Sequence, residues 1–157
     1  MPRIALDTNI LAYSEGLNRG PTDADKVILS RQLLRALNGA GERWVAATQV
    51  LAELHSVLVR RAALPPREAS DRVRRLQPFL QQVETSPQVL DAALGLSGAH
   101  NLQIYDALIL AAAGNARCDL LVSEDMHDGF VWSGITVTNP FGASPDARIS
   151  GLLTPGP

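Results

Sequence analysis

The chain contains few residues of several types, and each shortage excludes a class of protein or of site. It contains a single cysteine, Cys118, so neither an intramolecular disulfide nor a cysteine-rich zinc site can form. This shortage suits a reducing cytoplasm, the location that we expect. No apolar run approaches the ~20 residues that a membrane-spanning helix needs, and the N-terminus lacks the apolar run of a secretory signal. Aromatic residues make up 4% of the sequence, so Leu, Val, Ile and Ala must build the core.

The net charge of −2 gives no generally basic surface, but the arginines are unevenly placed. Only Glu68 and Asp71 offset a basic band between residues 60 and 75, which consists of Arg60, Arg61, Arg67, Arg72, Arg74 and Arg75. Such a band can hold phosphates even on a mildly acidic protein. A solvated helical face with intrahelical ion pairs is the other explanation, and the sequence leaves both open.

Short apolar segments alternate with segments of helical periodicity. The predicted strands are residues 3–6, 43–47, 82–84, 119–122 and 135–138, and the main predicted helices are 22–37, 48–61, 67–80, 86–99 and 102–116. This alternation predicts an α/β fold with three layers, α/β/α, around a central parallel sheet of about five strands. We expect one domain over residues 1–141 and a Pro- and Gly-rich tail, residues 142–157, that is loosely ordered.

Four acidic residues stand where a purely structural role is hard to explain. Asp7 directly follows the first predicted strand, and Asp125 follows the fourth. Because parallel strands end at the same edge of a sheet, both should lie on the rim where such sheets bind ligands. Glu53 and Asp106 each interrupt an apolar stripe of a predicted helix. Since an unpaired buried charge costs several kcal/mol, each needs a partner or serves a function.

Each acid taken alone has an ordinary explanation. Asp7 could cap the first helix, Asp125 could occupy a turn, and Glu53 could reach water from the edge of its stripe. Asp106 is the hardest to explain in this way, because its side chain is short, its neighbours are apolar, and no Lys or Arg lies at helical spacing around it. The four together favour a shared site.

Carboxylates that converge repel one another, which a divalent cation relieves. Oxygen ligands suit Mg²⁺ or Mn²⁺ rather than zinc, and the three histidines, His55, His100 and His127, are scattered. A hard cation held by carboxylates neutralises a phosphate and lowers the pKa of a bound water, so phosphate-ester hydrolysis is the expected chemistry. The hydroxyls of Thr8 and Ser123 could hydrogen-bond the carboxylates or a substrate phosphate.

Four short motifs resemble those of the PIN-domain family in order and spacing. They are Asp7-Thr8-Asn9, Leu51-Ala52-Glu53-Leu54, Tyr105-Asp106-Ala107, and Ser123-Glu124-Asp125 with Asp128-Gly129 behind it. Each motif alone is weak, whereas the ordered set is specific, and the resemblance runs from Arg3 to about Phe141. It implies a PIN domain over residues 1–141 that cleaves single-stranded RNA with Mg²⁺ or Mn²⁺.

The resemblance also implies site residues and partners. The catalytic and metal-binding acids would be Asp7, Glu53, Asp106 and Asp125. The residues that support them or contact the substrate would be Thr8, Asn9, Ser123 and Asp128. Within the family the chain is similar to the VapC toxins, and residues 137–141 add to this similarity. This implies an RNA substrate, a cognate antitoxin protein and a homodimer, with no membrane partner.

Three other functions are compatible with parts of this pattern. A housekeeping PIN nuclease of RNA processing cannot be separated from a toxin by sequence. A catalytically inactive PIN module that binds RNA or protein is less well supported, because all four acids are present. An aspartyl phosphatase of the haloacid-dehalogenase kind needs a second Asp two residues after the first, and Asn9 stands there.

Overall fold

The computed structural model describes residues 1–41 and 43–154. The strands in this part of the chain are β1 (Ile4–Leu6), β2 (Trp44–Ala47), β3 (Leu80–Val83), β4 (Leu120–Val122), β5 (Val131–Trp132) and β6 (Ile135–Thr138). The helices are α1 (Thr8–Ser14), α2 (Asp23–Gly39), α3 (Thr48–Arg60), α4 (Pro66–Leu76), α5 (Pro87–His100), α6 (Ile104–Asn115) and α7 (Ala147–Leu153). None of the helices described is both long and apolar enough to cross a membrane.

One sheet contains all six of these strands, in the order β3-β2-β1-β4-β6-β5. Five run parallel, and β5 pairs antiparallel with β6. Every residue of β1 and β4 is buried. Because successive side chains of a strand point to opposite faces, both faces of the sheet are covered. The predicted α/β class with a central parallel sheet is confirmed, and β5 is the strand beyond the expected five.

Helix α6 carries Asp106 in its first turn. Its residues from Ala107 to Ala113 are all buried, as expected for a helix rich in Ala and Leu. A short connection joins the end of α6 to the start of β4, so the first turn of α6 lies towards the end of β4. This geometry brings Asp106 to the rim that Asp7 also occupies.

Two predicted boundaries are wrong around residue 78. The helix predicted over residues 67–80 ends at Leu76, and a 3₁₀ turn, Gln77–Phe79, follows it. Pro78 explains the change, since proline lacks the N–H that an α-helix needs and its ring clashes with the preceding turn. Strand β3 therefore begins at Leu80 instead of residue 82.

The segment after Gly142, which we expected to be loosely ordered, contains helix α7. The side chain of Asp146 caps it by accepting a hydrogen bond from the Arg148 N–H at 2.9 Å. Ile149 is fully buried, and α7 packs against α2. The prolines and glycines of this segment led to the expectation of a loose tail. The apolar side chains of α7 instead pack this part of the segment against α2. The last three residues of the predicted tail, 155–157, lie outside the described residues.

Candidate active site

A cleft of about 880 Å³ opens at the rim where β1 and β4 end. Its walls come from the start of α1, from α3, from the start of α6 and from the loop after β4. All four acids singled out in the sequence line this cleft, namely Asp7, Glu53, Asp106 and Asp125. The topology thus brings together carboxylates that lie far apart in the sequence.

Asp7 is the most buried of the four, with 6% of its surface exposed. It is the N-cap of α1, and its Oδ1 accepts a hydrogen bond from the Thr8 N–H at 2.7 Å. Its Oδ2 accepts one from the Ser123 hydroxyl at 2.7 Å. Burial raises the pKa of Asp7 to about 6, and the charges of Asp106 and Glu53 act in the same direction, against the lowering by the two hydrogen bonds. Asp7 therefore both caps a helix and faces the cleft.

Glu53 lies in the middle of α3 and is half-buried. Its Oε2 accepts a hydrogen bond from the Thr8 hydroxyl at 2.7 Å, and its Oε1 accepts one from the Gln49 amide at 2.8 Å. Gln49 was not among the residues predicted for the site. Its position four residues before Glu53, on the same face of a helix, is the signal that would have identified it.

Asp106 and Asp125 complete the acidic wall. Burial raises the pKa of Asp106, and the charges of Asp125 and Glu53 raise it further. Asp125 is exposed and accepts a hydrogen bond from the Asn9 amide. Within residues 1–41 and 43–154, no Lys, Arg or His forms an ion pair with any of the four acids. In that part of the chain, hydroxyl, amide and backbone N–H groups hydrogen-bond Asp7, Glu53 and Asp125, whereas Asp106 accepts no hydrogen bond.

The carboxylates share the cleft but do not meet at one point. Among the residues described, no group of three or more His, Cys, Asp or Glu side chains is placed to hold one metal ion. Like charges favour such separation. The donor chemistry nevertheless fits Mg²⁺ or Mn²⁺, because the acids offer oxygen ligands and no His or Cys of the described residues lines the cleft. Three or more of these acids could therefore bind one ion only in an arrangement different from the one described.

Comparison with known proteins decides the family. The sequence profile of the PIN domain matches residues 4–127. The chain belongs to the PIN domain family. No curated protein sequence matches it.

Three solved structures show the same fold as this PIN domain. A chain of a toxin–antitoxin complex from Klebsiella pneumoniae superposes with a TM-score of 0.63 at 20% identity, covering 88% of this chain and 98% of that one. VapC20 of Mycobacterium tuberculosis, a toxin that cleaves the sarcin–ricin loop, gives 0.57 at 18% identity, covering 75% and 86%. A chain of VapBC2 from Rickettsia felis, bound to promoter DNA, gives 0.58 at 15% identity, covering 85% and 96%.

In the loop after β4 of the PIN domain, Asp125 lines the cleft, whereas the side chains of the nearby acids Glu124 and Asp128 make contacts outside it. Glu124 accepts a hydrogen bond from the Tyr13 hydroxyl at 2.7 Å and pairs with Lys26. Asp128 does not line the cleft, and its Oδ1 accepts a hydrogen bond from the Asn139 N–H at 2.8 Å. Tyr13 and Lys26 were not predicted, because nothing local in the sequence connects them with Glu124.

The basic band divides into two groups in this PIN domain. Arg60 and Arg61, at the end of α3, line the acidic cleft. Arg72, on α4, instead pairs with Glu68 at 2.9 Å and approaches Glu15 at 3.6 Å. Intrahelical ion pairing therefore applies to Arg72, whereas phosphate binding by Arg60 and Arg61 stays a prediction.

Proposed function

We propose that this PIN domain is a Mg²⁺- or Mn²⁺-dependent endoribonuclease that hydrolyses phosphodiester bonds of single-stranded RNA. The observation that carries the proposal is the set of four carboxylates, from Asp7, Glu53, Asp106 and Asp125, that line one cleft without an ion-pair partner in the described part of the chain. Membership of the PIN domain family supports the same chemistry.

The four acids are the proposed metal ligands, and a cation bound there would neutralise a substrate phosphate and lower the pKa of a water. The surrounding side chains orient the acids. The Ser123 hydroxyl holds Asp7, the Thr8 hydroxyl holds Glu53, and the Asn9 amide holds Asp125. Asp128 is assigned to the support of the loop that carries Asp125, because it hydrogen-bonds the backbone at Asn139.

We further propose that the chain is the toxin of a toxin–antitoxin pair, with an antitoxin protein and a second copy of itself as partners. The fold that it shares with VapC20 and with chains of two toxin–antitoxin complexes supports this role. Exposed apolar side chains on α5 support a protein contact, since Leu90 is 44% and Leu94 is 55% exposed. They lie four residues apart and so share one face of the helix.

Substitution of the acids tests the nuclease. We expect the purified chain to cleave a single-stranded RNA in Mg²⁺ or Mn²⁺ and not in EDTA. Asp7→Asn and Asp106→Asn should each lower the rate by at least about 100-fold, above the range usual for loss of an outer-sphere partner. Gel analysis of a labelled RNA measures the rate.

The matched control is Asp91→Asn, which removes one charge from the exposed face of α5, away from the cleft. Its rate should equal that of the parent chain, and circular dichroism should show that all three variants are folded. Full activity in either cleft variant contradicts the assignment of that acid and, with it, the proposed site.

A further inference from the structure

Two of the arginines that line the acidic cleft are neighbours in the sequence, and the proposed nuclease chemistry assigns no role to them. Arg60 and Arg61 lie at the end of α3, and both are exposed. Both line the same cleft as the four acids. We infer that they form a phosphate anchor that holds the sugar–phosphate backbone of a single-stranded RNA beside the cleavage position. The inference rests on the proposed ribonuclease function.

The anchor arginines combine a position at the cleft with freedom from ion pairs. In residues 1–41 and 43–154, neither Arg60 nor Arg61 forms an ion pair. Arg72, by contrast, is held by Glu68 and lies near Glu15. Guanidinium groups that are exposed and unpaired keep all their donors for bidentate contacts with phosphate.

Helix α3 sets the distance between the anchor and the acids. Glu53, Val57 and Arg60 are spaced four and three residues apart, so they share one face of the helix, and all three line the cleft. Seven residues correspond to a rise of ~10.5 Å. One strand of double-stranded DNA carries a phosphate every ~3.4 Å of axis. A single RNA strand stacked with that spacing would place the anchored phosphate about three nucleotides from the one at Glu53.

The anchor also offsets the electrostatic repulsion between the acidic cleft and RNA. A wall of four carboxylates repels a polyanion, whereas a pair of positive charges beside it attracts one. Arg19 lines the cleft as well, but its Nε lies 3.9 Å from Asp23 Oδ2 and its backbone N–H donates to the same carboxylate. We therefore assign the anchor to the pair on α3.

If Arg60 only stabilises its helix, its substitution should change the stability of the fold and not the binding of RNA. Arg60 lies in the last turn of α3, where a positive charge stabilises a helix through its dipole. The test must therefore measure RNA binding separately from folding. Thermal unfolding of each variant provides the second measurement, since a dipole effect changes stability and leaves the salt dependence of binding unchanged.

The experiment measures binding of a fluorescein-labelled 12-nucleotide single-stranded RNA by anisotropy, in EDTA, over a range of KCl concentrations. The protein is the full chain carrying Asp7→Asn, so that binding is measured without hydrolysis. Each phosphate contact contributes about 0.7 to the slope of log K against log salt for single strands. Arg60→Gln with Arg61→Gln should therefore flatten the slope by about 1.4 and weaken binding roughly 10- to 100-fold at 50 mM KCl.

The matched control is Arg67→Gln with Arg75→Gln, which removes the same charge from exposed positions of α4 that do not line the cleft. Its slope should stay at the parent value. The anchor is overturned if both pairs flatten the slope equally, if neither does, or if the parent protein shows no salt-dependent binding.

Activity of the unsubstituted chain separates the two proposals. If it cleaves no RNA under any divalent cation while only the α3 pair flattens the slope, the nuclease fails and only the binding of RNA phosphates by Arg60 and Arg61 stands. If it cleaves RNA and the slopes do not differ between the pairs, the nuclease stands and the anchor fails.

Discussion

At the scale of single residues, burial and hydrogen bonding have opposite effects on the pKa of Asp7. Its carboxylate accepts two hydrogen bonds and caps a helix, and both interactions favour the charged form. Burial nevertheless outweighs them and raises its pKa to about 6 from an ordinary value of 3.8. The folded chain therefore holds a proton on Asp7 more tightly than the unfolded chain does.

This shift predicts a pH-dependent gain in stability from Asp7→Asn. Because the folded-state pKa is raised, ionisation of Asp7 lowers the free energy of unfolding as pH rises from about 4 to above 6. A difference of about 2 units corresponds to roughly 3 kcal/mol, since one unit is worth about 1.4 kcal/mol. In EDTA at pH 8, Asp7→Asn should be more stable than the parent chain by about 2–3 kcal/mol, and the gain should disappear near pH 4.

Urea denaturation at a series of pH values measures this difference. Ser123→Ala serves as the opposite control, because removing its hydrogen bond takes away a group that lowers the pKa of Asp7. That variant should be less stable than the parent chain at pH 8. An Asn variant that gains nothing at pH 8 would show that the buried charge is not destabilising.

The residues of the candidate site were easier to predict from the sequence than the hydrogen bonds between them. Strand ends and interrupted apolar stripes were sufficient to single out all four acids, which line one cleft. Thr8, Asn9 and Ser123 were expected to support them, and each hydrogen-bonds one acid. The individual pairings join residues 45 to 116 positions apart, so no local pattern could have specified them.

At the scale of elements, periodicity predicted the long helices and missed the shortest strand. Strand β5 has two residues, too few to show an alternation of period two. Its pairing with β6 depends on the turn at Ser133 and Gly134, whose φ angles are 50° and 83°. Positive φ at both central residues is typical of a type I′ hairpin turn. The Ser-Gly pair was thus the available signal for this hairpin.

The packing of the hairpin on α6 predicts an unusual effect of Gly114→Ala. Alanine normally stabilises a helix by about 1 kcal/mol relative to glycine. Here the added Cβ would lie 2.8 Å from Trp132 Cζ3 and 3.4 Å from Ile135 Cδ1. Because overpacking costs about 1–3 kcal/mol, we expect a net loss of about 1 kcal/mol in the free energy of unfolding, measured with urea.

Gly95→Ala on α5 is the matched control, since its Cβ would have no neighbour within 4 Å among the residues that the structure describes. It should stabilise the chain by the usual amount. If Gly114→Ala is as stable as Gly95→Ala, then the hairpin can move away from α6 at no cost and does not pack tightly against it.

At the scale of the whole molecule, the sheet order makes the acidic cleft. Strands β1 and β4 are neighbours at the centre of the sheet, although well over a hundred residues separate them in the sequence. Their ends bring Asp7 and the loop with Asp125 together, and α3 and α6 add one acid each. A net charge of −2 conceals this concentration, which is why composition alone gives no indication of the site.

The concentration of charge predicts that a divalent cation stabilises the whole fold. A ligand that binds only the folded chain adds about 2.7 kcal/mol at 100 times its Kd. For a chain of this size, each kcal/mol raises Tm by about 2–4 °C, so saturating Mn²⁺ should raise Tm by about 5–10 °C. Because the ligands must be ionised, the increase should be smaller below the pKa of Asp7, which is about 6.

Differential scanning fluorimetry with increasing MnCl₂ measures this increase, and NaCl at equal ionic strength controls for screening. Asp7→Asn and Asp106→Asn should abolish the Mn²⁺-specific part, whereas Asp91→Asn on α5 should keep it. An increase that persists in both cleft variants would place the cation elsewhere on the molecule. No increase in the parent chain would instead favour a PIN module that binds RNA or protein without catalysis, because a cation that gives a nuclease its activity must bind the folded chain.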